Sequence, residues 1–151
     1  MDVSGTIDAI VSQKGSHVWT ISPEATVFDA IQLMADENIG ALLVVNAGGG
    51  LLGVISERDY TRKVMLRGKR SKETQVREIM TTEPTTVSPS ESVEHCLRLM
   101  TDQRVRHLPV LEANGRICGV ISIGDLVKSI ISRQAAVIEQ LESYIAGGYP
   151  G

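Results

Sequence analysis

The chain has 151 residues and a mass of 16.3 kDa, with 15 Lys and Arg against 18 Asp and Glu, a net charge of −3 and a pI near 5.6. That length suits one compact domain, or two small ones sharing a core, and it buries enough surface to fold without a metal or a disulfide. An apolar fraction of 42% and a mean hydropathy of +0.04 exclude a disordered chain, and the acidic balance excludes a whole-molecule polyanion binder. The longest apolar run in mid-chain, Ala41 to Val45, falls far short of a bilayer span. The polar, acidic start from Met1 to Thr6 lacks the layout of a signal peptide. Cys96 and Cys118 match no metal-ligand spacing, so a reduced, cytoplasmic protein with no membrane partner is expected.

In chain order, Val18 to Ile21 is a short β-rich segment that Ser22-Pro23 stops, because proline cannot donate to a ladder. Thr26 can cap a helix whose apolar face is Val27, Ala30, Ile31, Met34 and Ala35. Ala41 to Val45 is too short for a helix and too apolar for a one-sided strand, so it reads as a buried strand. Gly48-Gly49-Gly50 turns the chain into a return strand, Leu51 to Ile55, and Ser56 leads into a second helix. Residues 61–83 form a connector whose basic run (Arg62, Lys63, Arg67, Lys69, Arg70, Lys72) is read first as a solvated helix end and linker, with a phosphate-attracting or partner-facing patch as the alternative. Nucleic acid is not expected there, since no aromatic residue interleaves the charges.

The same order then recurs. Sliding the chain by 66 residues lays positions 20–64 over 86–130 with 16 of 45 pairs identical, so the chain is a tandem duplication. Ser92 can cap the helix bearing Val93, Cys96, Leu97 and Met100; Leu108 to Leu111 and Ile117 to Ile121 are strands joined at Asn114-Gly115. The last helix runs to about Ile145 and carries a stripe of Val127, Ile131, Ile138, Leu141 and Ile145, with its second half expected to need a partner subunit.

The sharpest signal is Gly53-Val-Ile-Ser-Glu-Arg-Asp59, repeated as Gly119-Val-Ile-Ser-Ile-Gly-Asp125. A strand ends at Ser and a helix starts at once, which sets backbone N–H groups and a hydroxyl around a positive helix end suited to an anion. A carboxylate three residues on can accept two hydroxyl hydrogen bonds, as proteins do for a ribose diol. The competing reading is that Ser56/Asp59 and Ser122/Asp125 only cap their helices; both copies keep the pair in register, which favours binding.

Two strand–helix–strand–strand–helix units, each closing on this motif, resemble the paired cystathionine-β-synthase (CBS) domain, or Bateman module, over residues 7–145. The resemblance implies an α/β (α+β) fold in which two β-α-β-β-α repeats pack about a pseudo-twofold. Its expected divisions are a first domain at 7–68, a linker at 69–83, and a second domain at 84–145 that includes the long helix. It implies a non-catalytic regulatory module that binds AMP, ADP, ATP or NAD(H) in clefts between the copies, forms a homodimer and signals to an unknown regulated protein. Asp59 and Asp125 would hold ribose hydroxyls, and Ser56 and Ser122 would touch ribose or phosphate. Adenine would lie near Val18 and Thr20 in one copy and near Pro84 and Thr86 in the other, meeting the backbone at Gly40-Ala41 and Arg106-His107.

The copies differ in charge. Copy two has Arg106 and His107 where copy one has Gly40 and Ala41, and copy one has Arg58 and Arg62 where copy two has Gly124 and Lys128. Arg58 from one side and Arg106/His107 from the other are expected to converge on phosphates, in two non-equivalent sites of which the better is built on copy two. Two other functions compete. An NAD-using enzyme would need a GxGxxG turn or a catalytic triad, and neither is present. A structural dimer with vestigial sites would make the Ser/Asp pairs caps alone.

Overall fold

The computed structural model describes residues 5–15 and 17–146, so the acidic start Met1 to Ser4 lies outside the described residues. The chain opens with α1 (Asp8–Lys14) and then runs β1 (Thr20–Ile21), α2 (Val27–Glu37), β2 (Ala41–Val45), β3 (Leu51–Ser56) and α3 (Glu57–Tyr60). The last of these widens into a π-turn over Thr61–Met65. A short 3₁₀ turn (Ser71–Glu73), α4 (Val76–Ile79) and β4 (Thr81–Thr82) follow; α5 (Val93–Gln103), β5 (His107–Leu111), β6 (Ile117–Ser122) and α6 (Ile123–Ala146) complete the fold.

The helices start where the side-chain chemistry places them. The Thr26 hydroxyl accepts from the Asp29 N–H at 3.1 Å and the Ser92 hydroxyl from the His95 N–H at 3.0 Å, so both expected caps form. In α2, Val27, Ala30 and Met34 are buried while Ala35 is exposed, so the apolar face is narrower than the spacing predicts.

One sheet has the order β1-β2-β3-β4, with β1 parallel to β2 and the other pairings antiparallel. The other is the β5-β6 hairpin, beside which Val87 makes a single parallel bridge to Val110. That bridge repeats the Ile21–Val44 pairing of copy one, and both hairpins shift register at equivalent places, Val44/Val45 and Val110/Leu111. Gly53 lets β4 lie against β3, since a Cβ there would sit 2.5 Å from the Thr81 carbonyl oxygen.

Residues 69–83 are more than a connector. Val27 donates to the Thr74 carbonyl and Val76 to the Ala25 carbonyl, both at 2.8 Å, and Val76 and Ile79 enter the core of copy one. The N-terminal segment does the same for copy two. Val93 donates to the Gly5 carbonyl at 2.8 Å and Ile7 to the Glu91 carbonyl at 2.9 Å, while Ile7 and Ile10 join the core of Val93, Cys96, Met100, Leu108, Val110 and Ile121. Each core is therefore finished by the segment preceding the other copy.

The two finishing segments then diverge. In copy one the chain leaves α4 after Ile79 and becomes β4 along β3. In copy two the helix α1 persists to Lys14, with Val11 packed in that core.

Helix α6 buries Leu126 and packs Ile130 on the core. The rest of the predicted stripe faces outward: Ile131 is 60% exposed, Leu141 54% and Ile145 78%, and Val137 and Tyr144 widen the apolar surface. Among the described residues, no helix is long and apolar enough to cross a membrane.

Candidate functional site

Both Gly-Val-Ile-Ser segments end their strand at Ser and turn directly into a helix. The turn is pinned in the same way twice: Glu57 donates its N–H to the Gly40 carbonyl at 3.1 Å, and Ile123 donates to the Arg106 carbonyl at 2.9 Å. Gly40 and Arg106 are thereby held beside their motifs.

Ser56 and Asp59 form a reciprocal cap. The Ser56 N–H donates to Asp59 Oδ2 at 2.9 Å, its hydroxyl donates to the same oxygen at 3.1 Å, and the Asp59 N–H reaches Ser56 Oγ at 3.3 Å. Ser122 and Asp125 repeat the two backbone bonds at 2.8 and 3.1 Å. The capping reading therefore holds geometrically in both copies. It leaves binding open, because an ionised carboxylate has about four acceptor positions.

What lies around the two motifs differs. Ser56 and Asp59 face a cavity of about 570 Å³ between the copies, a size that takes a mononucleotide. Of the residues expected at a site, it gathers Gly40, Ser56, Arg58, Asp59 and Arg62 from copy one with Pro84, Arg106 and His107 from copy two. The expected convergence of Arg58 with Arg106 and His107 is present. Val18, Thr20, Ala41 and Thr86 are outside this lining: Ala41 is buried within β2, and Thr20 and Thr86 are exposed.

The walls carry five cations (Arg58, Arg62, Lys63, Arg104, Arg106) against three carboxylates (Glu57, Asp59, Glu83). Lys63 bonds Asp59 Oδ1 at 3.0 Å and the Ile79 carbonyl at 2.8 Å. The two copies come close at Gly40: a Cβ there would stand 3.3 Å from the His107 ring and 3.2 Å from Glu57 Oε1, so those side chains would have to give by a few tenths of an ångström. Burial, with the Lys14 and Arg106 charges, holds the His107 imidazole below its usual range against a smaller opposing pull from Asp125, so it is neutral near pH 7.

Glu83, Thr85, Gln103 and Arg104 line the cavity without having been singled out in the sequence, as does Lys63, which was named there only within the basic run. Arg104 closes α5 in the left-handed region at φ 55°, matching Asn38 at 54° after α2. An arginine at the place where the other copy keeps an αL-tolerant asparagine was the available signal.

The two motifs have different surroundings. Asp125 meets Lys14, whose ammonium donates to Asp125 Oδ2 at 2.7 Å and to the Val120 carbonyl at 2.8 Å. Ser122 and Asp125 are absent from the cavity that holds Ser56 and Asp59; Asp125 instead borders a cleft between α1 and α6 with Lys14, Lys128 and Arg133. Among the described residues, no group of three or more His, Cys, Asp or Glu side chains is placed to hold a metal.

The CBS-domain family model matches residues 11–66 and 76–132. The mitochondrial CBS domain-containing protein CBSX3 of Arabidopsis thaliana is 41% identical over 97% of this chain and 74% of its own length. A solved structure of a protein with CBS domains from Burkholderia ambifaria is 48% identical, with a TM-score of 0.81 over 86% of this chain and 96% of that one. The CBS-domain pair of MJ0100, solved with 5′-methylthioadenosine and S-adenosyl-L-methionine, shares the fold at TM-score 0.77 and 22% identity, over 86% of this chain and 98% of that one.

Burial raises the Asp125 carboxyl, but the Lys14 hydrogen bond, the Ser122 N–H and the Lys14 charge outweigh it and leave the group below its ordinary 3.8. A depressed acid contributes stability that is complete above its unfolded value and disappears as pH falls through its folded value. The Tm gap between wild type and Asp125→Asn is therefore expected near neutrality and to shrink as pH is taken below 3.8. Thermal unfolding followed across that range checks it; a gap that stays constant contradicts the ion pair.

Proposed function

The chain belongs to the CBS-domain family, and we propose that it is a non-catalytic regulatory module that binds one of the adenine nucleotides AMP, ADP, ATP or NAD(H) in the cleft between its two copies. The observation that carries this reading is the shared cavity, in which a ribose-type carboxylate, Asp59, stands among cations contributed by both halves of the chain. Asp59 accepts the ribose hydroxyls; Arg58, Arg62 and Arg106 take the phosphates, with His107 beside them. The excess of cations favours a phosphorylated ligand over the uncharged 5′-methylthioadenosine or the sulfonium of S-adenosylmethionine seen with MJ0100. Because the walls come from both copies, occupancy changes how the copies sit against each other, which is the form a signal to a regulated protein takes.

Thermal unfolding with AMP, ATP and NAD tests the site. A ligand at 100 times its Kd adds about 2.7 kcal/mol, a Tm rise of roughly 5–10 °C at this size. Asp59→Ala removes hydrogen bonds to a charged acceptor, worth on the order of 1.5–3 kcal/mol, and lowers affinity at least ~10-fold. The variant also loses its cap and starts from a lower Tm, so the increment caused by ligand is the readout. An equal increment in wild type and variant contradicts the assignment of Asp59. No increment from any nucleotide favours a structural module whose Ser/Asp pairs are caps alone.

The reading includes a homodimer that covers the outward face of α6. Ile131, Ile138 and Ile145 recur every seven residues, with Val127 four residues before the first and Leu141 between the last two, the spacing of a helix-pairing seam. Sedimentation of Leu141→Asp/Ile138→Asp is expected to give the 16.3 kDa monomer where wild type gives twice that mass. A wild-type monomer, or an unaffected variant dimer, removes α6 as the interface.

A further inference from the structure

We infer that Arg104 is a specificity residue of the shared cavity, held in a left-handed backbone at the end of α5 so that its guanidinium meets a phosphate of the bound nucleotide. This rests on the adenine-nucleotide reading above and adds to it a determinant on copy two that favours phosphorylated ligands.

Helices α2 and α5 end in the same way. Asn38 and Arg104, equivalent under the 66-residue offset, close them at φ 54° and 55°. The next residue returns its N–H to the last turn in both, Ile39 to the Met34 carbonyl at 3.0 Å and Val105 to the Met100 carbonyl at 3.1 Å. Asparagine is one of the few side chains at ease in this conformation, and arginine is not. The backbone alone therefore gives no reason for an arginine here.

What each helix end faces supplies one. Arg104 lines the cavity that holds Ser56 and Asp59, and Asn38 lies outside it. Among the described residues, Asn38, Glu83 and Arg104 are the non-glycine residues with positive φ, and both Glu83 and Arg104 stand on the walls of this cavity. Backbone kept in a sparsely populated region gathers at functional sites.

Helix electrostatics explain the cation only in part. The free carbonyls that end α5 carry a partial negative charge, which Arg104 offsets. A basic residue anywhere in the last turn would do the same without a left-handed backbone, and that turn has none. Arg98 of the same helix is ion-paired to Glu94 at 2.8 Å, whereas Arg104 has no carboxylate partner among the described residues. An exposed guanidinium with uncommitted donors, on the wall of a cavity of about 570 Å³, matches the acceptors of a phosphate. It also keeps the negative end of α5 from repelling that phosphate.

Arg104→Asn tests this with the side chain that α2 already uses at the same place. Calorimetric titration with AMP and with ATP is expected to show both bound about 5–10-fold more weakly than by wild type, with an unliganded Tm equal or higher. The loss shrinks as salt is raised, because the missing contact is between charges. Arg104→Lys, which keeps the charge, recovers part of the affinity. Unchanged affinity for both nucleotides, or a loss of the same size at every salt concentration, overturns the assignment and leaves the nucleotide reading standing. A lower Tm with unchanged affinity makes Arg104 a helix cap alone and overturns it in the same way. No uptake of AMP or ATP by wild type overturns the nucleotide reading and the role of Arg104 with it.

Discussion

Each hydrophobic core in this molecule is completed by residues that belong, in sequence, to the other half of the chain. Val76 and Ile79 enter the core of Val27, Met34, Leu42 and Ile55, and Ile7 and Ile10 enter the core of Val93, Met100, Leu108 and Ile121. Burying an aliphatic side chain of this size contributes about 1.5–3 kcal/mol, and a unit this small has little stability to spare. Neither copy can keep its core intact while separating from the other, so the cleft between them follows from how the chain folds.

That constraint also makes the two motifs unequal. The finishing segments pair with the copies through equivalent backbone bonds, at Gly5 and Ile7 on one side and Thr74 and Val76 on the other. Beyond those bonds one segment stays helical and the other turns into a strand. A lysine therefore lies on Asp125, while Glu83 and Pro84 frame open space beside Asp59. Near-identical motifs acquire different surroundings from residues that lie outside the motifs.

The legible parts of the fold were those governed by local chemistry repeated in register. The caps at Thr26 and Ser92, the buried strands at Ala41 and Leu108, the turns at Gly49 and Asn114-Gly115 and the long last helix could be read from the residues. The sequence also singled out Arg58, Arg106 and His107 by their unequal charge between the copies, and these three line one cavity. The exchange of segments could not be read in this way. The Gly5–Lys14 and Thr74–Glu83 stretches are spaced by a few residues more than the 66 that aligns the rest, so a single offset leaves them unmatched. Lys14 was invisible for the same reason, since nothing local ties it to Asp125, more than 100 residues away. Val18 and Thr20 came from the resemblance alone and lie outside the cavity lining, and Arg104 was passed over because its left-handed backbone is a property of the helix end.

The central claim is that an adenine nucleotide enters between the copies against Asp59, with copy two supplying the opposite wall. An amide NMR titration of the full chain with ATP tests it most directly. The account predicts that the largest shifts fall on Gly40, Ser56, Asp59, Thr85, Arg106 and His107, residues drawn from both copies around one cavity. Shifts centred on Lys14, Ser122 and Asp125, with Gly40 and Asp59 unmoved, would contradict it.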